Sequence, residues 1–384
     1  MPIHPALPAL FAALLFGAST PLAKYLLGQM PAFLLAGLLY LGSGLGLALL
    51  MGVRGGVRRA RGQGPVALQI PRTDWPWLAG ATVFGGMLGP LCLMLGLAQT
   101  AAASASLLLN LEGVFTALLA WWVFKENADR GVVAGMTCIV VGGVMLAWAP
   151  GEMANIMAGD IAGDIAQGAR VALNADVTSF SGPLLIVLAC ACWAIDNNLT
   201  RKVSAQDAML IACIKGLVAG VCTTGLYALA GWLGRVPVVW PSLPILGRSL
   251  VLGFVGYGLS LSLFVVALRT LGTARTGAYF SVAPLLGVLI SWVIWPQWPD
   301  PAFWPAAALM ALGVWLHARE QHVHAHQHLP LAHQHTHRHD AHHQHQHAFA
   351  WDGHEPHVHP HEHAAIEHAH AHYPDIHHRH PHPH

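Results

Sequence analysis

Charged and amide side chains interrupt several long apolar stretches of this sequence. Glu112 lies near the middle of one stretch, with Asn110 two residues before it, and Asp196 and Lys215 lie in two later stretches. A charge in an apolar environment is costly unless it is paired with an opposite charge or faces water. Each of these residues is therefore a candidate for binding a solute or a proton.

These charges allow more than one interpretation. Glu112 could bind a cationic solute or take up a proton, or it could form a structural hydrogen bond to a neighbouring helix. Asp196 and Lys215 lie about 8 and 11 residues from the turn near Ser204, so their depths differ by about one helical turn. We predict an ion pair between them, which is either a structural clamp or a charge pair opened by a substrate or a proton.

Amide, hydroxyl and proline residues extend the candidate site. The amides of Asn197 and Asn198 offer hydrogen bonds to a polar solute or to a neighbouring helix. Pro21 and Pro284 are predicted to break their helices and free backbone groups for a solute, although proline kinks also occur without any ligand. The remaining candidates for contact with a substrate or coupling ion are Thr20 and Ser281.

Histidines are concentrated at the C-terminal end of the sequence. Of 27 histidines, 26 lie from His317 onward, in H-x-H and H-H units. Such a segment cannot build an apolar core, so we predict that it is disordered without a ligand. Neutral imidazole binds zinc, nickel, cobalt and copper, while a pH-responsive polyelectrolyte is the alternative. The candidate metal ligands are His322, His324, His326, His328, His333, His335, His337, His339, His357, His359, His361 and His363.

The composition indicates an all-α polytopic membrane protein. Hydrophobic residues make up 55% of the chain and charged residues 10%, against roughly a quarter charged in soluble domains. Apolar windows of about 18 to 25 residues are long enough to cross the bilayer as helices. Basic residues are too scattered for nucleic-acid binding. We predict ten spans, at 5–27, 31–52, 75–98, 102–124, 131–149, 182–200, 207–233, 248–268, 273–295 and 301–318.

The basic residues of the loops predict the orientation of these spans. With the N-terminus inside, twelve Lys and Arg residues around the spans face the cytoplasm and four face the other side. Cytoplasmic loops of membrane proteins carry such an excess. We therefore expect a plasma (inner) membrane protein with both termini in the cytoplasm.

Internal repetition divides the membrane body into two halves. Phe16–Leu22 aligns with Trp193–Leu199, and Asn110–Gly113 aligns with Ser281–Pro284. Each half has five spans, and because five is odd the halves are inverted, with a site expected between them near the midplane. The predicted regions are a first repeat (5–149), an external loop (150–181), a second repeat (182–318) and a disordered cytoplasmic tail (319–384).

One motif carries a family resemblance. Residues Ala105–Ala117 read ASLLLNLEGVFTA and resemble the ASLLxxLEPVFTA signature of EamA-type members of the drug/metabolite transporter superfamily. Gly113 replaces the usual proline, whose counterpart in the second half is Pro284, and Lys125-Glu126 resembles the family's Gly-Glu pair. The resemblance covers residues 5–318 and implies ten spans, two EamA repeats, and export or exchange of small metabolites without ATP or a required cofactor.

The leading hypothesis is a secondary transporter rather than an enzyme. It would export a small polar metabolite by alternating access, and the sequence has no phosphate-binding G-x-x-x-x-G-K-[ST] loop for ATP. The second hypothesis is efflux of zinc, nickel or cobalt, with the histidine tail as metal collector. The third is a membrane-anchored metal buffer or sensor. The expected partners are the lipid bilayer, a small-molecule substrate and, through the tail, a divalent metal, while the oligomeric state stays open.

Overall fold

The computed structural model describes residues 6–61, 70–124, 130–147, 181–204, 206–296, 298–299 and 301–318, and the tail segments 322–328, 331–337, 357–363 and 366–372. The predicted external loop therefore lies outside the described residues, except for Ser181. Lys125-Glu126 and His339 also lie outside them.

The membrane body consists of helices because backbone groups in lipid must be hydrogen-bonded within their own segment. The first half contains α1 (Leu7–Leu27), α2 (Ala32–Ala60), α3 (Trp75–Ala81), α4 (Gly89–Gln99), α5 (Ala102–Leu108), α6 (Leu111–Phe124) and α7 (Arg130–Ala147). The second half contains α8 (Ser181–Val203), α9 (Ala208–Trp232), α10 (Leu243–Leu252), α11 (Ser260–Phe280), α12 (Ala283–Ile294) and α13 (Phe303–Ala318).

Two π-helical segments join helices into longer rods. Segment π1 (Thr82–Leu88) connects α3 to α4, and π2 (Gly253–Leu259) connects α10 to α11. A short 3-10 turn, Arg72–Asp74, precedes α3. The π segments thus occupy the third long helix of each half, and π-helical turns are often found at functional sites.

Seven helical stretches among the described residues are long and apolar enough to cross a membrane. Three further apolar helices are shorter, namely Val133–Met145, Ala283–Ile294 and Phe303–Leu316. One predicted boundary differs, because α11 remains helical through residues 269–272, where a loop between two spans was expected.

The closest helix contacts join the two halves. Helix α2 packs along α9, α7 packs along α13, and α1 packs against α11 and π2. Small residues permit this approach: a Cβ on Gly216 would lie 2.8 Å from the Cα of Gly44, and a Cβ on Gly313 would lie 2.6 Å from the carbonyl oxygen of Gly135. Such small-residue contacts are typical of helices packed in membranes.

Two helices are interrupted near the centre of the body. Leu109 and Asn110 separate α5 from α6, and Ser281 and Val282 separate α11 from α12. Pro284 lies in the first turn of α12, where the missing N–H of proline removes no helical hydrogen bond.

Helix α1 differs from the predicted break at Pro21. It is helical from Leu7 to Leu27, with Pro21 inside it and buried. Neighbouring helices can compensate for a proline in a membrane helix, and α1 lies against α11 and α12. The helix is therefore not interrupted at Pro21, and a kink there stays a prediction.

The described tail segments form strands, where we predicted disorder. β1 (His322–His328) pairs with β4 (Ile366–His372), and β2 (Leu331–His337) pairs with β3 (His357–His363), both antiparallel. The backbone register sets histidine opposite histidine, as in the pairs His324 with His370 and His335 with His359. Isolated two-stranded sheets are marginally stable in water, so disorder of the free tail stays a prediction.

Candidate functional site

Two adjoining cavities lie between helices of the two halves. The empty space within them is about 430 and 460 Å³, which includes space open to solvent, and the volume that the centre of a water molecule can reach is about 30 and 60 Å³. Both cavities are lined by the same five residues, Phe16, Glu112, Asn197, Phe264 and Phe280. A solute bound there would contact α1, α6, α8 and α11 at once.

Glu112 and Asn197 line both cavities and connect the two halves by a direct contact. The amide nitrogen of Asn197 donates to Glu112 Oε1 at 2.8 Å and to Thr116 Oγ1 at 3.3 Å. Glu112 lies in the first turn of α6, directly after the helix interruption. Among the residues the structure describes, no Lys or Arg forms an ion pair with Glu112. Its carboxylate is therefore available to a ligand.

The two helix interruptions bring further polar groups to the first cavity. Asn110 donates to the carbonyl oxygen of Leu107 at 3.1 Å, and its side-chain oxygen Oδ1 is buried without a hydrogen-bond partner among the described residues. Ser281 donates to the carbonyl oxygen of Gly277 at 2.8 Å. Both residues line the cavity of Glu112.

The predicted ion pair is present beside the second cavity. Lys215 Nζ lies 2.5 Å from Asp196 Oδ1 and 2.8 Å from Oδ2. Thr200 Oγ1 donates to Asp196 Oδ1 at 2.8 Å. The Lys215 side chain is fully buried and does not line either cavity, whereas Asp196 lines the second one. The lysine therefore neutralises Asp196 from behind the cavity wall.

The backbone carbonyl of Gly85 in π1 binds two side chains that line the second cavity. The oxygen of Gly85 accepts hydrogen bonds from Tyr40 Oη at 2.5 Å and from Trp193 Nε1 at 3.0 Å. In π1 the amide of Gly89 donates to the oxygen of Phe84, five residues earlier. The equivalent partner for Gly85 would be residue 90, which is a proline and has no N–H. Tyr40 and Trp193 therefore satisfy a carbonyl that the helix leaves open.

The structure does not bring all predicted residues to the cavities. Asn198 donates to the carbonyl oxygen of Ala194 at 2.9 Å, and neither Asn198 nor Thr20 lines either of these two cavities. Both side chains are buried, at 4% and 1% exposure. These positions favour a role in helix packing.

Sequence reasoning missed the aromatic walls and Thr116. Phe16 packs against Phe280 with ring centroids 5.4 Å apart, and Phe280 packs against Phe264 at 4.9 Å. Aromatic residues in apolar stretches give no signal of their own. The repeat offered a partial one, because Phe16 aligns with Trp193 and both line the second cavity.

A metal site is not formed by the side chains that the structure describes: no group of three or more His, Cys, Asp or Glu among them could hold an ion. The histidines of the four strands have known backbone positions only. Metal binding by the tail stays a prediction.

The long apolar helices indicate a multi-pass membrane protein. The EamA-like transporter family matches the chain at residues 5–148 and 180–319, and the chain belongs to this family. The predicted family and the predicted multi-pass membrane class are confirmed. Transporters of this family need no cofactor.

Individual relatives are also transporters. An uncharacterized transporter of Methanothermobacter thermautotrophicus is 26% identical over 287 residues, covering 74% of this chain and 77% of the relative. A probable 4-amino-4-deoxy-L-arabinose-phosphoundecaprenol flippase subunit ArnE of Pseudomonas fluorescens is 41% identical over 86 residues, covering 22% and 72%. A crystal structure with 20% sequence identity shares the fold, with a TM-score of 0.56 over 81% of this chain and 94% of the other.

Proposed function

We propose that this protein is a secondary transporter that exports a small polar metabolite across the plasma membrane by alternating access. The observation that carries the proposal is the contact between Asn197 and Glu112 at 2.8 Å. It joins the second half of the chain to the first across a cavity. A solute that replaces this contact would change how the halves are held together, which is what alternating access requires.

The proposed architecture is ten spans in two inverted five-helix repeats, with both termini in the cytoplasm. Two observations support it. The family matches the chain twice, once in each half. The helix contacts also follow a two-fold relation, because α1 packs on the third rod of the second half while α8, its counterpart, packs on the third rod of the first half.

The ArnE relatives support movement of a solute rather than anchoring. Their name describes subunits of a flippase for an amino-sugar lipid, and a flippase moves its substrate across a bilayer. A simple metal buffer would not need the cavity between the halves. Transport is therefore the function that fold, cavity and relatives favour together.

The export proposal can be tested by mass spectrometry of culture medium. Cells expressing the full chain, the empty vector or Glu112→Gln are compared for released metabolites. We expect at least one polar metabolite to accumulate several-fold over the vector control, and Glu112→Gln to return it to the control level, because the variant removes the charge that faces the cavity.

The matched control is Asp74→Asn, which changes a carboxylate near the start of α3, where Asp74 accepts from Gln206 at 2.8 Å. This variant should export like the wild type. Equal release by the wild type and the empty vector would contradict export. Unchanged release by Glu112→Gln, at equal expression, would remove Glu112 from the transport path.

A further inference from the structure

We infer that the solute bound beside Glu112 is an organic ammonium ion that carries N–H groups and a small apolar or aromatic portion. This inference rests on the proposed transport function and names the substrate class of that site. Three properties of the cavities carry it: their charge, their unused hydrogen-bond capacity and their aromatic walls.

The charge of the cavity walls favours a cation. Glu112 contributes a carboxylate without an ion pair among the described residues, and the second carboxylate, Asp196, is already neutralised by Lys215. Among the side chains that the structure describes, no Lys, Arg or His lines either cavity. An anionic solute would therefore meet only negative charge, whereas a cation would compensate it.

The hydrogen-bond capacity of the first cavity favours a donor. Asn197 already donates to Glu112 and Thr116, and Ser281 donates to a backbone carbonyl. Within the part of the chain that the structure describes, the buried oxygen Asn110 Oδ1 has no partner, and a buried acceptor left unpaired is costly. An ammonium group has only donors, which complements the two acceptors, Asn110 Oδ1 and the carboxylate of Glu112.

The aromatic walls favour an organic cation over a metal ion. Phe16, Phe264 and Phe280 line both cavities next to Glu112. Ring faces attract organic cations and pack against apolar groups. A dehydrated divalent metal would need several oxygen, nitrogen or sulfur ligands, whereas the described walls offer one free carboxylate.

Binding of phenethylammonium to the full-length protein in lipid nanodiscs tests the inference. Radiolabelled phenethylamine at pH 7 is the probe, and the competitors are 2-phenylethanol, 3-phenylpropionate and the trimethylated quaternary analogue. We expect saturable binding that the neutral and anionic analogues do not displace. The quaternary analogue should compete about tenfold more weakly, because it has no N–H for Asn110 Oδ1.

Two variants separate the contributions of the two acceptors. Glu112→Gln should weaken phenethylammonium binding about tenfold or more, since a charge-assisted contact is lost. Asn110→Leu should weaken phenethylammonium several-fold and leave the quaternary analogue unchanged, because only the N–H acceptor is removed. Asp74→Asn should bind like the wild type. Gel filtration and thermal unfolding of each variant identify any that misfold, and Asn110→Leu tests the inference separately if Glu112→Gln does.

Several outcomes would overturn the inference. Equal competition by 2-phenylethanol or 3-phenylpropionate would show that the cavity does not select a cation, and equal binding of the quaternary analogue would show that Asn110 does not read N–H groups. If phenethylammonium does not bind while Glu112-dependent export of another solute persists, the substrate class is wrong and the transport function stands. If both are absent, the transport function fails as well.

Discussion

The two π-helical segments meet the opposite half of the molecule in closely similar ways. A Cβ on Gly85 in π1 would lie 2.6 Å from the Cβ of Asp196 on α8 and only 1.8 Å from its Oδ2. A Cβ on Gly256 in π2 would lie 2.6 Å from the Cβ of Ser19 on α1. Ser19 is the residue that aligns with Asp196 in the internal repeat. A glycine of each π segment therefore lies close to a helix of the opposite half.

We call these two contacts, of π1 with α8 and of π2 with α1, the two crossings. Their chemistry differs. At π2, Ser19 donates to the carbonyl oxygen of Phe16 at 2.6 Å and carries no charge. At π1, Asp196 is held by Lys215 and Thr200. Glu112 shows the same asymmetry, because its counterpart in the second half is Ala283. The two halves share the fold. They differ in charge, because a position that is charged in one half is uncharged in the other.

Among the variants considered, removal of Lys215 is expected to lower the free energy of unfolding the most. Lys215→Met leaves Asp196 as an unpaired buried charge, so the free energy of unfolding should fall by about 3 to 5 kcal/mol. Unfolding of the purified protein by SDS titration, followed by circular dichroism, measures it. The double variant Asp196→Asn/Lys215→Met should be less destabilised than Lys215→Met alone. A Lys215→Met protein as stable as the wild type would show that the pair is not a structural clamp.

A methyl group at the crossings compares them directly. Gly85→Ala should destabilise the protein by about 1 to 3 kcal/mol through overpacking, and Gly256→Ala should do so at the low end of that range. Asp196 cannot move away without losing Lys215, whereas the hydrogen bond that Ser19 donates is local, to the carbonyl oxygen of Phe16. The same SDS titration measures both variants.

A rescue experiment sharpens that comparison. Ser19→Gly removes the Cβ that an alanine at position 256 would meet, so it should restore most of the stability lost in Gly256→Ala. Asp196→Gly should fail to rescue Gly85→Ala, because it leaves Lys215 without its carboxylate. Equal rescue at both crossings would contradict the proposed difference between them.

The sequence predicted the charged residues of the site better than their surroundings. Counting residues from the turn near Ser204 was enough to pair Asp196 with Lys215, because depth in a straight helix follows residue number. Hydropathy alone could not predict that Asn197 would reach Glu112, since rotation of one helix about its axis depends on packing. Packing also explains why the helix continues through Pro21, because a proline breaks a helix only where its surroundings do not compensate.

Among the variants considered at π1, loss of the hydrogen bond from Tyr40 to Gly85 should lower the free energy of unfolding the least. Tyr40→Phe removes one of two donors to the Gly85 carbonyl and leaves Trp193 Nε1 at 3.0 Å. We expect a loss of about 1 kcal/mol in the same SDS titration, as for a single neutral hydrogen bond. Tyr257→Phe is the matched variant near π2. The Tyr257 hydroxyl is buried close to Ser19 without a well-formed hydrogen bond among the described residues, so this variant should lose less stability than Tyr40→Phe. A loss at Tyr257 as large as that at Tyr40 would mean that the second crossing also depends on a tyrosine hydroxyl, and the contrast between the two crossings would then reduce to the charge of Asp196.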